Sequence, residues 1–275
     1  MLTVPAPAKL NLFLHITGRR ADGYHELQTC FQLLDYGDEL AFATDDSGKV
    51  RLSSNLDHIA SDDNLIIRAA RLLQSHTGAA RGADIRLHKK LPIGAGLGGG
   101  SSDAATTLLA LNHLWGCKLQ QAELAALGLK LGADIPVFIH GQSAWAEGIG
   151  EKLRPMTLPA QWYLVVTPSC EVSTKEIFSH RQLTRDTVPI TIPAFPFSGT
   201  RNDCEAVAVA LYPEIGATLD WLKQYAPARM TGTGSSVFAS FDNKESAELA
   251  LSELPDNLNG FVAQGINTSP VLQAL

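Results

Sequence analysis

The chain has 275 residues, 45% of them hydrophobic and 18% charged, which suits one large or two ordinary globular domains and excludes a disordered protein. Its 22 basic and 28 acidic residues leave a net charge of −6, so no global field draws it to nucleic acid or to an anionic membrane. The four cysteines (Cys30, Cys117, Cys170, Cys204) form no CxxC pair, which fits reduced thiols in the cytoplasm better than disulfides or zinc. The first residues lack the basic segment and long apolar core of a signal peptide, and no apolar run approaches the ~20 residues of a membrane span.

Leu10, Leu12, Leu14 and Ile16 alternate with Asn11, Phe13 and His15, the period of a strand. Residues 18–25 form a loop by composition, and strands are expected near 26–34, 38–44 and 49–54. Asp62, Asp63 and Asn64 offer a helix cap, and Leu65, Ala69 and Leu72 keep helical spacing until Gly78. A strand over 84–90 feeds a glycine-rich loop, after which Ala104, Leu108, Leu111 and Trp115 mark one face of a helix. A second helix is expected from about 120 to Lys130, stopped at Gly132; a short segment at 134–139 then leads to strands near 143–148 and 161–167. Residues 188–200, with three prolines, show no clear period. Helices follow at 203–211 and 214–224, strands at 228–232 and 236–241, a helix at 244–254 and a strand at 260–265. Strict βαβ alternation is absent, so α+β is the expected class, with a boundary near residue 150 that divides 1–150 from 151–275.

Between Gly94 and Gly100, five of seven residues are glycine, and Ser101-Ser102 follow. Glycine lets backbone N–H groups converge on one point, and the helix that follows adds open amides and the positive end of its dipole. The combination is an anion cradle, and a phosphate is the expected anion. Gly94-Ala95-Gly96-Leu97-Gly98-Gly99 matches GxGxxG, but the next element reads as a helix and only Glu123 lies near the place of the acidic residue a dinucleotide site needs. A Walker loop requires Gly-Lys-Ser/Thr, whereas Ser101 follows Gly100. A protein-kinase glycine loop lies in a hairpin and does not enter a helix. The plainest alternative is a glycine-rich turn in which Ser101 or Ser102 caps the helix. Asp103 fits none of this easily: a carboxylate in the first turn suits the dipole and repels a phosphate.

Three segments together carry a resemblance: Pro7-Ala8-Lys9-Leu10-Asn11-Leu12, the run from Leu91 to Ser102, and Met230-Thr231-Gly232-Thr233-Gly234-Ser235-Ser236. In this order they resemble the three motifs of the GHMP kinases. Arg20-Ala21-Asp22-Gly23-Tyr24-His25, Gly132-Ala133-Asp134-Ile135-Pro136-Val137-Phe138 and Asn202-Asp203-Cys204-Glu205 are similar, more narrowly, to the members that act on CDP-methylerythritol. The resemblance spans nearly the whole chain. It implies a two-lobed α+β fold with the active site in the inter-lobe cleft. It also implies transfer of the γ-phosphoryl group of ATP, with Mg²⁺, to the 2-hydroxyl of the methylerythritol moiety in the non-mevalonate isoprenoid route.

The same resemblance assigns roles. Asp134 matches the family's catalytic aspartate; from its position before Pro136, helix capping is an equal alternative. Lys9 matches the lysine beside that aspartate, where an ammonium favours the ionised carboxylate and stabilises charge on the attacking oxygen. Lys90, Pro92, Gly94, Gly96, Leu97, Gly98, Gly99, Gly100, Ser101 and Ser102 are the expected ATP contacts, with Lys89 a further candidate. Asn11, Tyr24, His25 and Phe178, with Gly232, Thr233 and Gly234, are expected to hold the CDP-methylerythritol: aromatic faces around the cytosine, the second glycine loop on the diphosphate side. No protein ligand for Mg²⁺ is identifiable, no membrane or nucleic-acid partner is expected, and the chain is expected to act as a monomer or homodimer. The rival is another small-molecule GHMP kinase with a homoserine or mevalonate-type acceptor. A nucleotide-binding module without catalysis and a dinucleotide oxidoreductase are the readings from other classes.

Overall fold

The computed structural model describes residues 1–56, 63–192 and 197–275. Asp62 of the expected helix cap and residues 193–196 of the proline-rich stretch lie outside them. The elements in chain order are β1 (Leu2–Arg19), β2 (His25–Asp45), β3 (Val50–Ser54), α1 (Leu65–Thr77), β4 (Gly82–His88), α2 (Gly99–Leu114), α3 (Gln121–Leu129), α4 (Ile135–His140), β5 (Ala144–Gly148) and β6 (Lys152–Pro155). They continue with β7 (Trp162–Thr167), α5 (Thr174–Ser179), α6 (Glu205–Leu211), α7 (Pro213–Leu222), β8 (Ala228–Met230), β9 (Val237–Phe241), α8 (Lys244–Ser252), β10 (Asn259–Ile266) and α9 (Val271–Ala274). The class is α+β, as the mixed pattern predicts.

One sheet runs through the molecule in the order β3-β4-β2-β10-β7-β9-β8, with β1 and β5 also paired to β2 and β6 to β5. All pairs are antiparallel except β3 with β4. Helices α1 to α4 bury Ile66, Leu73, Leu108, Leu111, Ile135 and Phe138 against Phe31, Phe42 and Ile85 of the sheet. A second core joins Leu14 and Ile16 of β1 to α6, α7 and β9. A third, around Leu10, Phe13, Trp145, Tyr163 and Phe238, lies between them and draws on both halves of the chain.

Several expected boundaries move, each for a local reason. The strands expected at 26–34 and 38–44 are one 21-residue strand, β2. It passes so close to β1 at Gly37 that a Cβ there would overlap the Ala6 carbonyl oxygen, so the glycine serves a close approach of strands. Strand β4 ends at His88 and not at residue 90, because the Lys89 amide turns to Asn55 Oδ1 and the amides of Lys90 and Leu91 turn inward to Asp38. Helix α2 starts at Gly99, inside the glycine run. Its N-cap, Gly98, is left-handed at φ 72° and no side chain caps the helix, which overturns Ser101 or Ser102 as the cap. The short β6 and α9 carry too few residues to show a period.

The β1–β2 register slips between Pro7 and Lys9 and again between Asn11 and Leu14. Such irregularities bend a strand and re-aim its side chains. Between the two slips, Lys9 and Asn11 sit two residues apart and so on one face of the strand.

Candidate active site

The cleft is lined by residues of both halves of the chain and encloses about 810 Å³. Its floor is Lys9 and Asn11 of β1 with Thr29 and Phe31 of β2; one wall is the 92–101 loop with the head of α2, and Asp134, Phe178, Gly232 and Thr233 face it.

Lys9 is 2% exposed. Its Nζ lies 3.2 Å from Asp134 Oδ2 and donates to Asn11 Oδ1 at 2.6 Å and to the Gly96 carbonyl at 3.0 Å. Its own amide donates to the Leu97 carbonyl at 3.0 Å. A buried ammonium is tolerable only when paired, and here one carboxylate and two neutral acceptors hold it in a fixed place. Asp134 occupies the N-cap position of α4 but accepts no capping hydrogen bond, so the capping alternative fails and its side chain is committed to Lys9. Its side chain keeps 34% exposure, which leaves it reachable from the cleft.

The two glycine loops meet beside this pair. Ser236 donates its amide to the Ala95 carbonyl at 3.2 Å, and Gly96 has φ 75°. A Cβ at Gly96 would overlap the Thr231 carbonyl oxygen, so no other residue fits there. Asn11 joins the second loop through its amide, which donates to Thr231 Oγ1 at 2.9 Å. Asn202 Nδ2 donates to the carbonyls of Met230 and Gly232 at 2.9 and 2.8 Å and thereby fixes the loop's shape. At the head of α2 the amides of Gly99, Gly100 and Ser101 have no capping side chain, and the helix dipole ends there. This is a backbone cradle for an anion.

Beneath the cradle lies a buried ionic cluster. Lys89 Nζ donates to Asp38 Oδ2 at 2.6 Å and to Asp103 Oδ2 at 2.8 Å, with all three side chains at most 6% exposed. Burial opposes the charge on Lys89, but the two carboxylates outweigh it and hold the ammonium above the ordinary lysine range. Lys89 is thus a buried tie across the cluster, while Lys90 is exposed, lies outside the cleft and donates only its amide to Asp38.

Of the other expected residues, Pro92, Gly94, Gly96, Leu97, Gly98, Gly99, Gly100, Ser101, Asn11, Phe178, Gly232 and Thr233 line the cleft. Ser102 does not: it is fully buried behind the helix head. Gly234 packs away, toward Met230 and Ile215. Tyr24 is 59% exposed, and His25 is buried with its ring stacked on Phe178, centroids 5.0 Å apart. Both lie outside the cleft lining, and Phe178 joins His25 to it.

Sequence reasoning missed Arg185, which no local pattern marks. Its Nε donates to His25 Nε2 at 3.1 Å, and Nη2 donates to the carbonyls of Phe178 and His180. A ring nitrogen that accepts cannot carry the proton, so neutral His25 holds its hydrogen on Nδ1. Burial, and next the charges of Arg185 and Arg19, lower the His25 pKa below the ordinary histidine value. Asp63, Asn64 and Leu65, at the start of α1, also line the cleft; the sequence showed them only as a helix start.

Among the described residues no group of three or more His, Cys, Asp or Glu side chains is placed to cage a metal ion, all four cysteines are free, and no helix is long and apolar enough to cross a membrane.

Residues 64–142 match the family described as GHMP kinases N terminal domain, and residues 196–260 match GHMP kinases C terminal. A relative from Alkalilimnicola ehrlichii, named 4-diphosphocytidyl-2-C-methyl-D-erythritol kinase, is 57% identical over 271 residues, 98% of this chain and 93% of its own. One of the same name from Pseudomonas paraeruginosa is 56% identical over 268 residues, 98% of this chain and 95% of its own. A crystal structure of 4-(cytidine 5'-diphospho)-2C-methyl-D-erythritol kinase superposes with a TM-score of 0.82 at 32% identity, covering 96% of this chain and all of that one. A mevalonate kinase structure shares the fold, with a TM-score of 0.69 at 17% identity over 97% of this chain and all of that one.

Proposed function

The chain belongs to the GHMP kinases, and from that premise we propose that it transfers the γ-phosphoryl group of ATP to the 2-hydroxyl of 4-diphosphocytidyl-2-C-methyl-D-erythritol. The observation that carries the chemistry is the Lys9–Asp134 pair, 3.2 Å apart beside an uncapped helix head. The acceptor follows from relatives of that name at 54–57% identity over nearly the full chain.

Phosphoryl transfer asks the protein for positioning and charge stabilisation more than for covalent chemistry. The Gly94–Ser101 backbone and the α2 dipole hold the ATP phosphates. Asp134 orients the acceptor hydroxyl and takes its proton as the oxygen bonds to the γ-phosphorus and the bond to the β-phosphate oxygen breaks, leaving ADP. Lys9, 3.2 Å from Asp134, stabilises the developing alkoxide. Asn11 and the Gly96 carbonyl aim the ammonium. Tyr24, His25 and Phe178 hold the cytosine, with stacking worth ~1–3 kcal/mol per base. Gly232 and Thr233 close the diphosphate side.

Mg²⁺ belongs to the same proposal. It keeps several waters and binds through one or two carboxylates plus substrate phosphates. A cleft with no three-residue cage among its described residues fits that mode, with Asp134 as the carboxylate that would reach the ion's water shell. Bound with ATP, the ion would neutralise charge on the phosphates. A lobe division near residue 150 is part of the proposal, supported by one core under α1 to α4 and another under α6 and α7; Val271 crosses back into the first, and Leu14 and Ile16 cross into the second. The cytoplasm, the proposed compartment, is supported by four unpaired thiols.

The test offers ATP and Mg²⁺ with each acceptor in turn and measures ADP. CDP-methylerythritol is expected to turn over, and homoserine and mevalonate are not. Better turnover of either of those would move the assignment to another GHMP kinase.

A further inference from the structure

Both ends of the glycine-rich segment return to Asp38 of β2. At the entry, the amides of Lys90 and Leu91 donate to Asp38 Oδ1 at 2.6 and 2.8 Å. At the exit, the Asp103 carboxyl of α2 is in hydrogen-bond contact with the Asp38 carboxyl. Lys89 Nζ bridges the two, 2.6 Å from Asp38 Oδ2 and 2.8 Å from Asp103 Oδ2. The cluster fits directly beneath the helix head: a Cβ on Gly99 would stand 3.0 Å from Lys89 Nζ and 3.4 Å from Asp38 Oδ2.

Two carboxylates cannot hydrogen-bond each other without a proton between them. Nor can one ammonium neutralise two carboxylates held away from water, and these side chains are 0% and 4% exposed. Asp38 accepts from three N–H donors, whereas Asp103 accepts only from Lys89, and its buried Oδ1 receives no hydrogen bond. The proton therefore belongs on Asp103 and points to Asp38. No other cation takes its place. Lys90, after β4, is exposed and gives Asp38 only its amide; Lys9 of β1 is held by Asp134. The start of α1 brings another acid, Asp63, to the cleft wall, and residues 92–102 carry no ionisable side chain.

We propose that Asp38 and Asp103 share one proton and, with Lys89, form a clamp that closes the base of the glycine-rich segment, which makes both of them positioning residues for the phosphate cradle. This rests on reading the Gly94–Ser101 loop as the ATP-phosphate cradle. The clamp acts through the backbone and not by contact with nucleotide. Asp38 sets where the segment begins, Asp103 sets how α2 lies, and the proton fixes one against the other, so that the amides of Gly99, Gly100 and Ser101 stay aimed at one point. The charge conflict read from the sequence also ends here: with the proton in place the cluster holds one cation and one anion, and Asp103 sets no net charge against a phosphate.

The proton gives the clamp a pH range. Burial pushes the Asp103 carboxyl up to about 7; Lys89 opposes the rise and Asp38 adds to it. The unfolded chain releases the same proton near 3.8. Between those values the native state holds a proton that the unfolded state has lost, so the contribution to stability falls as pH rises through that window and levels off above it. Asp103→Asn copies the protonated acid: its amide nitrogen donates to Asp38, its oxygen accepts from Lys89, and nothing titrates. Asp103→Ala removes the link.

Thermal unfolding of wild type and Asp103→Asn without ligand, from about pH 5 to about pH 9, reads the proton. Wild type is expected to lose melting temperature relative to Asp103→Asn up to about pH 7 and to hold a constant gap above it. A gap independent of pH overturns the shared proton. Titration calorimetry with ATP and Mg²⁺, without acceptor, reads the positioning role. Relative to Asp103→Asn, wild-type ATP affinity is expected to be equal at about pH 6 and about three- to tenfold weaker at about pH 8. Asp103→Ala is expected to bind ATP at least about threefold more weakly than Asp103→Asn at both, with acceptor KM unchanged. Equal ATP affinity of the Ala and Asn variants overturns the positioning role, and so does an equal loss for ATP and acceptor, which a general loosening of the fold would cause. Should the variants fail to fold, infrared spectroscopy of wild type decides: a protonated-carboxyl C=O band is expected at about pH 6, where ordinary carboxylates are ionised, and its absence overturns the proposal. Wild type that binds no ATP is a different result: it would sink the cradle reading and the positioning role with it, and the melting comparison reads the proton regardless.

Discussion

The two ends of the cleft are built on opposite plans. The end that faces the first glycine loop is backbone: a dozen consecutive residues, an uncapped helix head and a left-handed Gly98. The end that faces Phe178 is side chain, assembled from His25, Phe178 and Arg185, which are up to 160 residues apart and joined by one ring stack and the hydrogen bonds of a single guanidinium. A backbone site tolerates many side chains but no added Cβ at its close approaches. A side-chain site tolerates backbone change but fails when one long-range donor is removed. The Lys9–Asp134 pair lies between them and depends on both.

Substitutions can break this contrast in order of severity. Asp134→Asn removes the proton acceptor without changing shape and is expected to lower kcat by at least ~10²-fold, with both KM values within a few-fold of wild type. A near-normal kcat would return Asp134 to a structural role. Gly96→Ala forces a Cβ onto the Thr231 carbonyl at a φ of 75° and is expected to cost about 1–3 kcal/mol of stability in thermal unfolding, with loss of ATP affinity. Unchanged melting would show that the two glycine loops yield easily. Arg185→Ala frees His25 and the Phe178 carbonyl and should raise KM for the cytidine acceptor about tenfold, equivalent to ~1.4 kcal/mol, while KM for ATP stays put. A matching rise for ATP would erase the division between the two ends. Tyr24→Ala, at an exposed ring, should raise acceptor KM by about fivefold, the low end of base stacking. No change in acceptor KM would leave Phe178 and His25 alone at the base.

The same contrast explains what the sequence made legible. The helix start at Asn64 was visible because its signal is local: the side chain accepts from the Ile66 amide. The glycine run and the spacing of Lys9 and Asn11 were visible for the same reason. The helix start at Gly99 was not, since propensity argues against glycine there and only the fold's need for open amides favours it. Arg185 and Asp38 were invisible because their partners lie 160 and about 50 residues away in sequence. Asp103 was visible and misleading: its charge could be read, but its burial with Lys89 could not.

Strand β10 pairs Gly265 and Ile266 with Leu34 and Leu33 of β2, and the residues after it return to the first half. Ser143 donates its amide to the Asn267 carbonyl, Ser269 donates to the Gly141 carbonyl, and Val271 enters the core of α1 to α4. The half that carries the first glycine loop is therefore completed by residues that follow the second half in sequence. During synthesis Leu33 and Leu34 of β2 stay unpaired by β10 until those residues emerge, so the first half cannot close before the second has been made. Assembly of the Lys9–Asp134 pair on its scaffold therefore waits for β10, and a chain cut before Gly265 would hold most of the motifs and lack the closure that ties them together.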